Sequence, residues 1–160
     1  MRVEEVMNLN ARVCGLNDNL SAAAGLMWEN DCGMLPVVAE EGNVVGLITD
    51  RDICMAATLK SQNLWNIAVE EVISGDVYAC KPEDDIRSAL KTMREKRVRR
   101  LPVIAADGTL KGVLSMNDVV LKAEESKDKK PAELTYAEVV NTYKAICEHR
   151  EPLKAQVAGV

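Results

Sequence analysis

The chain repeats itself at a fixed offset of 66 residues, as from Gly46 to Gly112. Three segments return at this offset: VEEV at 3–6 as VEEV at 69–72, LPV at 35–37 as LPV at 101–103, and GLITDRD at 46–52 as GVLSMND at 112–118. The register between these matches needs no gap. Self-similarity at a fixed period over most of a chain indicates one supersecondary unit built twice.

Both copies predict the same order of elements. An extended piece precedes an amphipathic helix, two β-branched runs around a glycine-containing turn predict a hairpin, and a second helix follows. We expect Asn17 to cap the first helix of copy one, and Pro82 to open that of copy two with acids 83–85 in its first turn. Thr49 and Ser115 are expected to begin the second helices. The prediction is an α/β (α+β) chain of two β-α-β-β-α units.

The composition changes after the second copy. Residues 124–131, EESKDKKP, are charged and end in proline, which is typical of a linker. Thr135 and Glu138 then stand at capping-box spacing, so we expect one amphipathic tail helix followed by a frayed end at 154–160. The apolar stripe of this helix consists of Tyr136, Val139, Val140, Tyr143, Ile146 and Cys147. That stripe suits packing within the chain, against a second subunit or on a partner. The predicted domains are repeat one at 1–62, repeat two at 63–125, and the linker with tail helix at 126–160.

Charge, hydropathy and cysteine content exclude several classes of function. A net charge of −5 disfavours nucleic-acid binding, and no apolar run approaches the ~20 residues of a membrane span. The five cysteines contain no CxxC pair, which favours reduced, mostly buried thiols, and His149 is the only histidine. No base–nucleophile pair or metal cluster can be assembled. We expect a cytoplasmic protein that is not an enzyme and has no metal, nucleic-acid or membrane partner.

The repeated hydroxyl–acid pairs, Thr49 with Asp52 and Ser115 with Asp118, permit two interpretations. In the first, each pair is a capping box at the start of a helix. In the second, each pair binds a nucleoside phosphate, because a helix start with a hydroxyl suits anions and an aspartate can accept ribose hydroxyls. The glycine three positions before each hydroxyl lies inside a predicted strand, where close approach of backbone or ligand is a reason for glycine.

These motifs, the VEEVM opening at 3–7 and both LPV segments together resemble a tandem pair of cystathionine-β-synthase (CBS) domains, often called a Bateman module, over residues 3–123. The resemblance implies regulation by an adenosyl ligand such as AMP, ADP, ATP, S-adenosylmethionine or a dinucleotide. It implies two units packed about a pseudo-twofold axis, a homodimer and an unidentified regulated protein. The alternative is an interaction module that has kept the fold and the tail helix but binds no ligand.

The resemblance also assigns residues to two clefts. Asp52 and Asp118 would hold ribose hydroxyls, while Thr49 and Ser115 would contact ribose or phosphate. The other implied ligand-binding residues are Arg12, Val13, Tyr78 and Ala79 near the adenine, Ile48, Leu114, Pro36 and Pro102 along the walls, and Arg99 and Arg100 against phosphates.

The two clefts are expected to differ in charge. Gly33 and Met34 stand where the second copy has Arg99 and Arg100, so the first cleft should lose two cations and the second should favour phosphorylated ligands. The alternative is that both arginines are simply the last residues of a solvent-exposed basic segment and bind no ligand. Trp28, which matches Arg94, is expected at a cleft or subunit contact.

Overall fold

The computed structural model describes residues 1–73, 76–125 and 132–148. Its regular elements in chain order are β1 (Cys14–Gly15), α1 (Leu20–Glu29), β2 (Met34–Val38), β3 (Val44–Thr49), α2 (Asp50–Leu59), α3 (Ile86–Lys96), β4 (Arg100–Ile104), β5 (Leu110–Ser115), α4 (Met116–Lys122) and α5 (Tyr136–Cys147). Short 3₁₀ turns occur at Val3–Glu5, Leu64–Asn66 and Val69–Glu71. Most of the predicted linker (126–131), His149 and the predicted frayed end lie outside the described residues.

Each unit is built on an antiparallel hairpin. β2 pairs with β3, with Leu35 opposite Ile48, and β1 joins β2 in parallel. β4 and β5 repeat the hairpin with Leu101 opposite Leu114, while the counterpart of β1 is reduced to one parallel bridge from Cys80 to β4. A helix follows each hairpin directly, so the predicted mixed α/β fold of two similar units is confirmed.

The first helix of each unit begins later than the sequence suggested. Asn19, not Asn17, caps α1 by accepting a hydrogen bond from the Ala22 amide at 2.9 Å. α3 is capped by Asp85, so Pro82 and the neighbouring acids precede the helix instead of forming its first turn. The cause is a turn before each helix, in which Asp18 and its repeat counterpart Asp84 accept from the amides of residues 15 and 81.

The opening segments of the two units are exchanged. The Val3 amide donates to the Asp84 carbonyl at 2.9 Å, and Val69, its repeat counterpart, donates to the Asp18 carbonyl at 2.8 Å. Val3 is buried in the second unit's core and Val69 in the first. Each folded core therefore contains the opening segment of the other copy. The boundary at residue 62 stays a prediction about the sequence copies.

This exchange follows a pseudo-twofold axis between the units. Asn43 forms an antiparallel bridge with Thr109, which is its own counterpart at the 66-residue offset. A residue meets its own counterpart only close to the axis that relates the two copies. The bridges of Arg2 with Asp85 and of Ala68 with Asn19 are likewise symmetry mates. The pseudo-twofold packing that the resemblance implied is therefore present in the fold.

The tail helix α5 packs within the chain. It lies against α3 and α4, with Val139 buried in the second unit's core and Tyr143 and Ile146 packed on it. Tyr136 and Val140, from the same predicted stripe, are exposed. The buried residues of the stripe thus pack within the chain, as one of the three interpretations predicted. Tyr136 and Val140 leave part of the stripe exposed to solvent.

Polar contacts explain why α5 covers the second unit and not the first. The Arg87 Nε donates to Glu138 at 2.6 Å, Arg94 donates to Thr142 at 3.0 Å, and Arg97 donates to Glu148 at 3.2 Å. The counterparts of the three arginines in the first unit are Ser21, Trp28 and Asp31. Because none of these residues is a cation, the corresponding face of α1 cannot form the same polar contacts with α5.

Two of the five thiols lie in the interior. Cys14 and Cys80 are buried, Cys32 is half-buried, and Cys54 and Cys147 are exposed, so the prediction of mostly buried thiols is only partly correct. Burial raises the pKa of Cys14 to about 11 and that of Cys80 to about 12, with a smaller contribution from the nearby Asp18 and Asp84 carboxylates respectively. Within the described residues, no helix has the length and apolar character that crossing a membrane requires.

Candidate ligand clefts

Two clefts lie at the junction of the units, and each contains one hydroxyl–acid motif. The Thr49 cleft has a volume of about 300 Å³ and is lined by Leu47, Thr49, Asp52, Asp76, Tyr78, Lys96, Val98 and Arg100. The Ser115 cleft has a volume of about 190 Å³ and is lined by Asn8, Asn10, Ala11, Arg12, Asn30, Asp31, Cys32, Met34, Arg100, Val113, Ser115, Asn117 and Asp118. Each motif therefore faces side chains supplied by the other repeat.

Both motifs form capping boxes. The Thr49 hydroxyl donates to Asp52 Oδ2 at 2.6 Å, the Thr49 amide donates to the same oxygen at 2.9 Å, and the Asp52 amide returns a bond to the hydroxyl at 3.2 Å. Ser115 and Asp118 repeat this geometry at 2.5, 2.8 and 3.3 Å. The helix-capping interpretation is thus confirmed as a structural role of both pairs.

Capping leaves part of each carboxylate available. All hydrogen bonds that Asp52 and Asp118 accept among the described residues go to Oδ2. Each Oδ1 is therefore uncommitted, and both residues are half-buried at the cleft wall. A carboxylate oxygen held in this way can accept hydrogen bonds from a sugar while the other oxygen keeps the helix capped.

Strand alternation corrects two of the predicted wall residues. Ile48 and Leu114 are fully buried in the hydrophobic cores and do not face the clefts. Successive side chains of a strand point to opposite faces, so the residues two positions before each hydroxyl share its face. Leu47 and Val113 accordingly line the clefts, and this period-2 rule could have identified them from the sequence.

Arg12 and Tyr78 are the two predicted adenine-side residues that line clefts, Arg12 with Ser115 and Tyr78 with Thr49. Their neighbours Val13 and Ala79 are exposed and lie outside both linings, as far as the described residues define them. Of the predicted prolines and the arginines predicted to contact phosphates, only Arg100 lines the clefts. Pro36 and Pro102 pair with Leu47 and Val113 but are themselves buried, while Arg99 is exposed outside the linings and Arg100 belongs to both.

The expected loss of two cations from the first cleft is not found. Lys96 and Arg100 line the Thr49 cleft, and Arg12 and Arg100 line the Ser115 cleft. The reason is the shared construction, because side chains of the second unit reach the motif of the first. The Lys96 ammonium lies 4.7 Å from the centroid of the Tyr78 ring, and the Arg12 Nε donates to Asn30 Oδ1 at 2.8 Å.

The two strand glycines admit the chain's own segments. A Cβ atom on Gly112 would stand 2.4 Å from the Asn8 carbonyl oxygen, and one on Gly46 would stand 2.8 Å from Ile73 Cδ1. The close approach inferred from the sequence is therefore explained by the exchanged opening segments. These glycines give no independent support for a ligand.

Sequence reasoning missed most residues contributed from a distance. Asn8, Asn10, Asn30 and Asp31 line the Ser115 cleft, and Asp76 and Lys96 line the Thr49 cleft. No local motif marks them, because they reach each cleft from the other repeat through the packing of the two units. Among the described residues, no group of three or more His, Cys, Asp or Glu side chains is arranged to hold a metal ion.

A third concavity, the α1–α2 groove, lies beside the clefts and has a volume of about 500 Å³. It is lined by Ala24, Met27, Trp28, Asp31, Cys32, Gly33, Asp50, Ile53, Arg100 and Asn117. Trp28 is 89% exposed, more than any other large apolar side chain of the described residues. Its counterpart Arg94 lies under α5, so this groove corresponds to a face that the tail helix covers in the second unit.

The CBS domain family model matches residues 3–58 and again residues 69–125. The chain belongs to the CBS domain family. The two matches confirm the tandem pair that the sequence resemblance implied. Hypoxic response protein 1 of Mycobacterium tuberculosis is 28% identical over 143 residues, which cover 89% of this chain and 92% of that protein. A homoserine O-acetyltransferase of Methanohalobium evestigatum is 33% identical over 107 residues, but these span only 21% of that enzyme.

Solved structures of CBS proteins share the architecture. CBSX2 in complex with AMP has a TM-score of 0.66 and 25% sequence identity, and the match covers 75% of this chain and 93% of that one. The CBS domain pair of protein MJ0100 in complex with 5′-methylthioadenosine and S-adenosyl-L-methionine has a TM-score of 0.69 over 76% of this chain and 94% of that one. At 20% identity, the second likeness shows the fold alone.

Proposed function

We propose that this CBS pair is a regulatory protein that binds an adenosyl ligand through Asp52 and Asp118 and communicates its presence to a partner protein. The ligand class is AMP, ADP, ATP, S-adenosylmethionine or a related adenosyl compound. The binding of AMP by CBSX2 and of two adenosyl compounds by the MJ0100 pair supports this class. The chain's contribution is binding and conformational bias, without chemistry of its own.

The observation that carries this proposal is that the two oxygens of each motif carboxylate are in different situations. Oδ2 holds the helix cap, while Oδ1 is uncommitted among the described residues and borders a cleft. Two vicinal ribose hydroxyls are donors that suit such a charged acceptor. The Thr49 cleft, at about 300 Å³, reaches the lower end of the ~300–1,000 Å³ typical of small-molecule sites.

The second candidate is an interaction module that binds no ligand, and one observation favours it. The capping boxes alone account for every hydrogen bond of the motif acids in the described residues. On that view, the exposed apolar faces would carry the function.

Titration calorimetry with AMP and with 5′-methylthioadenosine separates the two candidates. We expect Asp52→Ala and Asp118→Ala each to weaken binding at their own cleft by about 10- to 100-fold, because hydrogen bonds to a charged group contribute roughly 1.5–3 kcal/mol. Either substitution also removes a cap, so a capping control is needed. Glu138→Ala removes the acid of a third box, which Thr135 begins at α5 away from both clefts. It should leave affinity unchanged.

No binding by the wild type would favour the ligand-free module. Equal affinity of the wild type and both aspartate variants would show that the ligand binds without Asp52 and Asp118, and would refute the proposed site. Weakening by Glu138→Ala equal to that of the cleft variants would mean that the aspartates act through helix stability alone.

We also propose that a second copy of the chain covers the α1–α2 groove. α5 covers the corresponding face in the second unit, whereas Trp28 stands exposed in the first. Trp28→Arg copies the residue at the matching position, Arg94, and should convert the wild-type dimer to a monomer in analytical ultracentrifugation. Trp65→Arg, at another exposed tryptophan, is the control and should stay dimeric. A monomeric wild type, or a dimeric Trp28→Arg variant, would refute this interface.

A further inference from the structure

Arg100 lies where both clefts meet. It is the first residue of β4, pairs with Ser115 across the hairpin and is half-buried. It lines the Thr49 cleft, the Ser115 cleft and the α1–α2 groove. Its Nη2 atom is 3.3 Å from the place where a Cβ on Gly33 would stand, so the guanidinium crosses the seam between the two units.

The guanidinium of Arg100 has no hydrogen bond or ion pair within the part of the chain that the structure describes. By contrast, Arg87, Arg94 and Arg97 are committed to the tail helix, and Arg12 to Asn30. Lys96, the other cation of the Thr49 cleft, lies over the Tyr78 ring. Arg100 is therefore the cation best placed to meet an incoming anion in either cleft.

The internal repeat shows what a symmetric pair would contain. Met34 is the counterpart of Arg100: it pairs with Thr49 as Arg100 pairs with Ser115, and it lines the Ser115 cleft. Two arginines at these positions would supply one cation from each side of the axis. The chain instead has one arginine and one buried methionine, which is 5% exposed.

We propose, on the basis of the adenosyl-binding function above, that Arg100 is the single phosphate-binding cation for both clefts and makes them compete for phosphorylated ligands. A guanidinium binds one phosphate in a bidentate manner and cannot serve a second in the same way. A phosphate bound in one cleft therefore withdraws Arg100 from the other and adds a negative charge near it. Ligands without phosphate do not use Arg100 and fill both clefts independently.

Calorimetric titration of the full chain with AMP and with uncharged 5′-methylthioadenosine tests this coupling. For the wild type we expect 5′-methylthioadenosine to fill the two sites independently, whereas the two AMP steps should be separated by about tenfold or more in affinity beyond any separation seen with 5′-methylthioadenosine. Met34→Arg supplies the missing cation and should bring the two AMP steps together. Arg100→Met copies the counterpart residue and should reduce AMP affinity while leaving 5′-methylthioadenosine affinity unchanged.

Arg51→Met is the charge-matched control, because Arg51 is exposed on α2 outside both linings. It should retain the separated AMP steps of the wild type. Thermal unfolding of every variant establishes that each one is folded before it is titrated.

Two AMP molecules binding with equal affinity to the wild type would overturn the proposal, as would unchanged separation in Met34→Arg. If 5′-methylthioadenosine binds at both clefts but AMP shows no coupling, the shared arginine is refuted and the adenosyl-binding function stands. If neither compound binds, both are refuted.

Discussion

Substitution of Gly112 tests the exchange of opening segments, on which the cleft geometry depends. A Cβ at this position would stand 2.4 Å from the Asn8 carbonyl oxygen, a backbone atom that cannot rotate away. Gly112→Ala should therefore displace the segment and break its two bonds to Val113, from the Asn8 amide at 2.9 Å and to the Asn8 carbonyl at 3.0 Å.

The size of this effect follows from the broken bonds. Two hydrogen bonds at about 1 kcal/mol each give a loss of about 2 kcal/mol in the free energy of unfolding. The alanine recovers part of it by restricting the unfolded chain, by about 0.4–1 kcal/mol, and displacement of the packed segment adds cost. For a chain of this size, a net loss of about 2 kcal/mol lowers the midpoint of thermal unfolding by about 4–8 °C.

Gly46→Ala is the matched control, because Gly46 is the repeat counterpart of Gly112. Its nearest contact is the terminal Cδ1 of Ile73 at 2.8 Å, a side-chain atom that can move. We expect a loss of about 1 kcal/mol or less, measured by thermal and urea unfolding of both variants. Equal losses at the two positions, or an unchanged Gly112→Ala midpoint, would refute the reasoning.

Three further predictions concern the tail helix and the thiols. Arg87→Met should weaken the attachment of α5 and lower the free energy of unfolding by about 1 kcal/mol at most, measured by urea unfolding, because its ion pair with Glu138 is partly exposed. Burial raises the pKa of the Glu138 carboxyl, but the hydrogen bonds that it accepts from Thr135 and Arg87 lower the pKa by more. The pKa of Glu138 therefore lies below its ordinary value of 4.5. That stabilisation is fully present above about pH 4.5 and is lost as pH falls through the lower folded value, a dependence that unfolding midpoints across pH should show and that Glu138→Gln should remove. Cys14 and Cys80, with raised pKa values, should react with iodoacetamide at pH 8 far more slowly than the exposed Cys54, as mass spectrometry of the native protein can measure.

Each of these predictions has a clear contrary result. Lys91→Met breaks an exposed ion pair with Glu95 within α3, so an equal loss of stability there would show that the Arg87 pair has no special role. A Glu138→Gln variant with the same acid sensitivity as the wild type would assign that sensitivity to other carboxyls. Cys14 labelling as fast as Cys54 would show that the first unit's core opens readily.

Much of the fold could be predicted because the repeat doubles every local signal. The two hairpins were predicted from the glycine-containing turns between their strands. The starts of α2 and α4 were predicted from the hydroxyl–acid pairs that begin at Thr49 and Ser115. The starts of α1 and α3 were missed because Asp18 and Asp84 are equally good turn acceptors and cap residues. Sequence alone does not decide between those uses.

Two routes led to the cleft residues that were predicted. The hydroxyl–acid motifs indicated Thr49 and Ser115, and the family resemblance implied Arg12 and Tyr78. Thr49 and Ser115 lie on cleft walls, but the alternation of their strands directs Leu47 and Val113 to the clefts and Ile48 into the core. Other cleft residues come from the opposite repeat: Asn8 through the exchanged opening segment, and Lys96 through the packing of the two units. No spacing within one copy contains that information.

The most direct test of the adenosyl-binding account is a crystal structure of the protein grown with saturating AMP. The account predicts ribose hydroxyls within hydrogen-bond distance, about 2.6–3.2 Å, of Oδ1 of Asp52 or Asp118, while Oδ2 keeps its bond to Thr49 or Ser115. AMP bound outside both clefts, or no bound AMP in well-ordered clefts, would contradict it.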